Sequence, residues 1–445
     1  MWEFLKKAQE IGASFADIRF KKNRNLLLVS TEERDQVRSN GVDQGYSLRV
    51  LYNKNWGYLS SPSLSTEDVK RAISSSFGDE RTNIVYLPSK KDTVELKPKN
   101  YVERSVEEKM KVLKSLREQV TSSMKVSNVS VSYNESWIEN WYLSSEGRDI
   151  KVKYFMSGLS ISAGAHEADR RASAYVSKFS VTSSVLEEDL NSLVSTLKRR
   201  LENQLKGVVP DGGEHTVVLA PDVVGVFSHE AVGHLAEADL ATSGVLFKNR
   251  GKRIAPENVN VVDSPVVSLE GGIGYVPYDD EGVEGRKVEI IKGGIVREML
   301  TDRYYSAYLG QRPTGNARAE DYRSPVLIRM RNTFIEPGEM SKDEILQEVK
   351  EGYFLVSTLG GETSPEGTFQ FGIQEGYRVE NGELKEPLRN TGISGYTMET
   401  LSRIRRISKN FEMWPGFCGK GGQSVPVGTG GPYVLVEKMK VGGNA

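Results

Sequence analysis

Apolar residues recur at helical spacing along several stretches of the first half and alternate with polar ones along others. Residues 1–11 suit a short amphipathic helix. Asp17-Ile18-Arg19-Phe20 and Asn25-Leu26-Leu27-Leu28-Val29 read as two strands. From about Thr66 a helix places Val69, Ala72, Ile73 and Phe77 on one face, with Gly78 as its stop. Ser105-Val106-Glu107-Glu108 is a capping box: the Ser105 side chain takes an amide three residues on, and Glu108 reaches back. Val106, Met110, Leu113, Leu116, Val120 and Met124 follow at helical period. Strand alternation then runs through Ile150, Val152 and Tyr154, and through Leu159, Ile161 and Ala163. A long helix over 185–206 carries Leu186, Leu190, Leu193, Leu197 and Leu201 on a stripe and ends at Gly207.

Past that helix the pattern changes. Pro210-Asp211-Gly212-Gly213 reads as a linker. Lys292-Gly293-Gly294-Ile295 and Glu380-Asn381-Gly382-Glu383 are two-residue hairpin signals between apolar runs. The stretch 415–432 holds so many glycines that a loop is expected there, inside the domain. These features predict an α+β fold. A mixed α/β N-terminal domain spans 1–209, and a strand-rich, barrel-like C-terminal domain spans 210–445 with a helix near its start.

Composition narrows the class. The chain has 445 residues, 59 basic and 60 acidic side chains and 38% hydrophobic residues. That balance excludes a strongly basic nucleic-acid binder and a disordered acidic chain. The single cysteine, Cys418, excludes an internal disulfide, so a reducing cytoplasm is the expected compartment. No run of about 18 apolar residues suggests a membrane span. The charged opening Met1-Trp2-Glu3-Phe4-Leu5-Lys6-Lys7 does not read as a signal peptide. Gly416-Phe417-Cys418-Gly419-Lys420 lacks the Ser or Thr of a P-loop, and Gly272-Ile273-Gly274 lacks the third glycine of a dinucleotide fingerprint. Arg403, Arg405 and Arg406 form only a brief basic cluster.

The candidate chemistry lies in the histidines. There are four, His166, His215, His229 and His234. Two fall in Ser228-His229-Glu230-Ala231-Val232-Gly233-His234, resembling the zinc-protease motif of two His ligands with an adjacent Glu as base. The spacing is one residue longer than that motif. In a regular α-helix residues four apart diverge by about 40°, but residues five apart diverge by about 140°. Two devices restore convergence: a π-bulge, whose turn realigns i and i+5, or a kink at Gly233. The bland alternative is two unrelated histidines on a helix with a surface glutamate. Glu214–Ala220 reads as a buried strand and Pro221 as a first helical residue, so the pair sits about two turns into a helix. A catalytic zinc site normally has three protein ligands. By type the third can be Cys418, Glu237, Asp239, His166 or His215, and Cys418 can equally be a small buried apolar residue.

At His229–Asp239, together with Phe417-Cys418-Gly419-Lys420-Gly421-Gly422-Gln423-Ser424-Val425-Pro426-Val427-Gly428, the chain resembles the TldD/PmbA family of metallopeptidases, on its TldD side. Gly12–Arg19, Tyr278–Gly282, Thr314–Arg318, Arg331–Gly338 and Glu375–Gly382 are similar to that family's pattern in the same order. The resemblance implies one zinc ion held by His229, His234 and Cys418, with Glu230 activating water. It implies an unfolded peptide or peptide precursor as substrate, including precursors of ribosomally made peptide antibiotics. It further implies a partner chain of the PmbA type lacking the metal motif; a homodimer is the alternative, and the charge balance and hydropathy lead to neither a nucleic-acid nor a membrane partner being expected. Two other readings stay open: a cysteine peptidase built on Cys418, and a metal-bound scaffold or regulatory subunit. Tyr304, Tyr305, Arg303 and Arg318 are eligible by type to stabilise an oxyanion, but nothing in the sequence selects one.

Overall fold

A computed structural model describes residues 1–75, 77–78, 82–122, 124–241, 244–266 and 271–443. The fold is α+β, as the pattern predicts, and rests on two large sheets. The first has eight strands, built around Phe15–Thr31, Asp35–Tyr52, Val126–Ser144 and Arg148–Glu167. The two short strands expected at 17–20 and 25–29 are one strand, Phe15–Thr31, paired on both edges. The polar run between them does not interrupt it, because Lys21 finds a carboxylate partner, Asp280, from the second half of the chain at 2.8 Å.

The helices follow their caps. Val106–Thr121 carries the full Ser105–Glu108 box, and Leu113, Leu116 and Val120 face the sheet core. The helix from Thr66 ends at Ser74, earlier than expected. Phe77–Gly78 instead pairs with Asn55 and Trp56 as a short strand. Ser75 turns its hydroxyl back to the Ala72 carbonyl at 3.1 Å and closes the last turn. The Phe77 side chain lies outside what is described. The stretch 185–206 is a 3-10 turn, Val185–Glu187, followed by the helix Asn191–Lys206.

The second sheet has eleven strands. Gly213–Leu219 pairs with both Glu351–Thr363 and Gln423–Gly443. Glu351–Thr363 pairs with Thr368–Glu380, that strand with Thr391–Tyr396, and that one with Gln423–Gly443. The five strands close on themselves, which gives this half its barrel character. Both expected hairpins form, with Gly293–Gly294 and Asn381–Gly382 at positive φ in their turns.

The expectation of a loop over 415–432 is wrong. These residues belong to two paired strands, Ile404–Lys420 and Gln423–Gly443, joined at Gly421–Gly422 with φ of 57° and 74°. The glycines serve close packing between backbones. A Cβ on Gly430 would lie 2.5 Å from the Glu412 carbonyl oxygen, and one on Gly225 would lie 2.5 Å from the Gly430 nitrogen. The helix Pro221–Val226 therefore rests directly on the glycine-bearing strand. Among the described residues, no helix is long and apolar enough to cross a membrane.

Candidate metal centre

Pro221 opens the helix that follows Gly213–Leu219, as its fixed φ favours. The α-helical turns end at Val226, and Phe227–Gly233 is a π-helix. The His234 N–H donates to the His229 carbonyl, an i+5 bond, so the two histidines are the ends of one π turn. This is the first of the two devices the spacing requires. Gly233 does not kink the chain, since its backbone is helical at φ −60° and ψ −53°. It is glycine for a packing reason, because a Cβ there would lie 2.0 Å from Met330 Sδ.

The π turn sets the two imidazoles side by side, with centroids 5.2 Å apart. Cys418 arrives from the neighbouring strand with its Sγ 3.5 Å from His234 Nε2. One donor atom from each of His229, His234 and Cys418 lies within 4.8 Å of the others. Three residues separated by up to 189 positions (229 to 418) thus meet at one point. His229 and Cys418 are each 3% exposed. The Cys418 carbonyl is gripped by the buried Arg329 guanidinium, and its backbone pairs with Val425. Glu230 lies next to the group, its Oε2 3.8 Å from His234 Nε2.

Of the other third-ligand candidates, none joins the cluster. Glu237 is fully buried and accepts the His234 Nδ1 proton at 2.9 Å. Lys420 donates to Glu237 at 3.1 Å, to Asp239 at 2.8 Å and to the Ile328 carbonyl at 2.9 Å. Glu237 and Asp239 therefore stand behind the cluster, orienting one imidazole so that its Nε2 faces inward. His215 hydrogen-bonds Asp211 and packs on Tyr353 elsewhere, and His166 is exposed on the strand Arg148–Glu167. Arg329 carried no sequence signal, and Lys420 lay inside the Phe417–Gly428 stretch with no contact readable there, because both contacts depend on strand pairing that only the fold supplies.

The electrostatics follow from this packing. Burial opposes ionisation of the Cys418 thiol, but the His229 and His234 imidazoles outweigh it and bring the thiol down to about 4. Burial disfavours the charged form of both imidazoles as well. Cys418 raises His229 above the usual range, and Glu237 and Cys418 raise His234 well above it. Glu237 is lowered, since His234 and Lys420 overcome its burial. An acidic thiol facing two imidazoles is the donor set a soft or borderline divalent cation takes.

A cleft of about 580 Å³ opens onto Glu230, His234 and Cys418, bordered by Glu362–Pro365 and Phe417. Tyr304, Tyr305, Arg303 and Arg318 are not among its lining residues. Arg303 is held by Glu146 at 2.7 Å, and Tyr304 packs edge-on against Tyr305.

Domain models of known families match three stretches. Residues 212–443 match the PmbA/TldA metallopeptidase C-terminal domain, 99–205 its central domain and 16–77 its domain 1. The chain is 49% identical over 447 residues to a zinc metalloprotease TldD homolog of Saccharolobus solfataricus, with 100% of both chains covered. It is 33% identical over 454 residues to a metalloprotease of Methanocaldococcus jannaschii, covering 97% of this chain and 98% of that one. The fold superimposes on the crystal structure of TldE from Thermococcus kodakarensis with a TM-score of 0.77, 20% identity and 100% of each chain covered.

Proposed function

This chain belongs to the PmbA/TldD metallopeptidase family, and from that premise we propose that it is a metal-bearing, peptide-hydrolysing member. His229, His234 and Cys418 hold one zinc ion, and Glu230 is the general base. The observation that carries the reading is the convergence of those three donors, two of which, His234 and Cys418, line the cleft beside Glu230. The donor set fits such an ion. His229 Nδ1 is buried without a hydrogen-bond partner, and the thiol is acidic. A bound zinc ion would polarise a water molecule and the scissile carbonyl. Glu230 takes the proton from the attacking water and returns it to the leaving amine. Glu237, fixed by Lys420, keeps His234 in the tautomer whose Nε2 faces the cleft.

Substrate selection uses backbone shape. Among the described residues the strand carrying Cys418 pairs along its length with Gln423–Gly443, and its other edge takes a bridge from Ser408 to Met340, which leaves the part around Cys418 to an extended peptide. That favours unfolded segments. A proline placed next to the cleavage point of a model peptide should suppress turnover, and unchanged cleavage would argue against strand addition. The partner is a PmbA-like sister chain or a second copy, and the compartment is a reducing cytoplasm. The 1–209 and 210–445 division is supported by the separation of the two large sheets.

One observation favours a second reading: an acidic thiol beside imidazole is also the equipment of a cysteine peptidase. Against it, Cys418 is 3% exposed and faces two imidazoles rather than one. A metal-bound scaffold would hold zinc with no turnover. Metal analysis of the wild type beside His229→Ala and Cys418→Ala, with an unstructured-peptide assay, tests all three. Glu230→Gln should keep its zinc and lose cleavage. Retained cleavage in Glu230→Gln would favour the thiol route.

A further inference from the structure

A second cavity, of about 460 Å³, lies between the first sheet and the second half of the chain. Arg19, Lys21 and Arg318 line it, together with Tyr154, Phe417 and Pro426. Phe417 also borders the cleft beside His234 and Cys418, so the two spaces meet across one side chain.

The charges around this cavity are unequal in their partners. Its acids are engaged. Asp280 takes Lys21 at 2.8 Å, and Asp43 and Asp321 take Arg323 at 2.6 and 2.8 Å. Asp279 accepts the N–H groups of Glu281, Val283 and Ala317, and Glu320 accepts that of Ser424. Two of the guanidinium groups are not so engaged. Arg19 is 1% exposed, and its Nη2 donates to the Ser324 carbonyl at 3.0 Å, while Nε and Nη1 are buried with no partner. The nearby Tyr58 hydroxyl is turned to the carbonyls of Tyr322, Arg323 and Ser324. Arg318 is 7% exposed and donates to the Met330 and Pro426 carbonyls at 2.6 and 2.8 Å. Among the described residues, no carboxylate forms an ion pair with either. The charge of Asp280 reaches both guanidinium groups, but its direct bond is to Lys21, so a ligand carboxylate would be the first to meet either arginine by hydrogen bond. Arg is also the side chain best shaped to take a carboxylate through two parallel N–H bonds.

We propose that this cavity is a carboxylate-binding subsite for the peptide: Arg19 and Arg318 receive an acidic group of a chain that passes Phe417 and lies across the metal cleft. The inference rests on the peptidase reading above and adds a preference to it. The acidic group is either a C-terminal carboxylate or an Asp or Glu side chain, and the same chemistry serves both.

The test is binding to the zinc-loaded Glu230→Gln protein by titration calorimetry. The probes are one unstructured peptide as free acid and as C-terminal amide, each with an internal Asp or Asn. A charge-assisted pair predicts about tenfold tighter binding, or more, for the form that keeps the relevant carboxylate. Loss on amidation alone assigns the C-terminus, and loss on Asp→Asn alone assigns a side chain. Arg19→Gln should remove most of that preference and leave the melting temperature and zinc content near wild type. If that variant does not fold, the four peptides on the parent protein still decide. Equal binding of all four, or no binding, overturns the subsite. Failure of the wild type to cleave any of the peptides, with the carboxylate preference intact, would sink the peptidase reading and leave the subsite standing.

Discussion

Two buried polar clusters in the second half of the chain are built on opposite terms. Arg331 and Asp263 are both fully buried, and every polar valence of their two side chains is filled. Arg331 Nε donates to Asp263 at 2.7 Å, Nη1 to the Thr314 and Gly315 carbonyls, and Nη2 to the Asp263 and Arg286 carbonyls. Asp263 also takes the Arg331 N–H, Asn316 and Thr333. All five N–H donors of the guanidinium are used. Around His229, His234 and Cys418 the opposite holds. Three donor atoms lie within 4.8 Å of one another, Cys418 Sγ stands 3.5 Å from His234 Nε2, and His229 Nδ1 is buried without a partner. A saturated cluster has no capacity left for a ligand and serves the fold. An unsaturated one is incomplete until something binds, which is the mark of a site.

Substitutions sharpen that contrast. The largest effect is expected on function at the unsaturated cluster. His229→Ala should drop zinc content toward zero and cleavage to background, while metal-free stability by denaturant titration moves by only about 1–2 kcal/mol. A folded variant that keeps full zinc would show that His229 is not a ligand. At the saturated cluster the outcome reverses. Asp263→Ala strands a buried guanidinium and should lower stability by about 3–5 kcal/mol, read from the shift in denaturant midpoint. A loss below about 1 kcal/mol would show that the cluster is not structural.

Glu237 stands between the two, because Lys420 and His234 occupy one of its oxygens while Oε1 is unpartnered. Glu237→Gln should weaken zinc binding by about 10–100-fold in a chelator competition and leave the ligands in place. Unaltered affinity would remove its positioning role.

The smallest effect concerns Glu375, which joins the helix Asn191–Lys206 to the second sheet through Arg199 at 2.8 Å and Arg200 at 3.2 Å. Burial would raise this carboxyl, but the two arginines outweigh it and hold it below its usual 4.5. A lowered native pKa means the unfolded chain binds the proton first as pH falls. Its contribution is therefore full above pH 4.5 and fades as pH drops through the native value. Thermal melts of wild type and Glu375→Gln should converge between neutral and acid pH. Parallel curves would show that the ion pairs do not carry this dependence.

Much of this was readable from local pattern. The capping box at Ser105 and Glu108, the Gly293–Gly294 and Asn381–Gly382 turns and the strand alternation around 150–163 depend on near neighbours, and all appear as read. The five-residue spacing of His229 and His234 required a π turn or a kink, and the π turn formed. The glycine-rich stretch misled because composition describes a residue's freedom, not its surroundings. Gly430 lies in a regular strand, where a side chain would strike Glu412. Likewise Asp17–Phe20 and Asn25–Val29 merged because a carboxylate 259 residues away accepts Lys21.

Local order could therefore specify caps, turns, periods and the pair of imidazoles on one helix. It could not choose among five candidates for the third donor. What sets Cys418 beside the two imidazoles is its pairing with Val425, while the Lys420 contacts hold Glu237 and Asp239 out of the group. The reason is range: capping and helical period act over a few residues, whereas donor convergence is a sum of sheet registers across the chain.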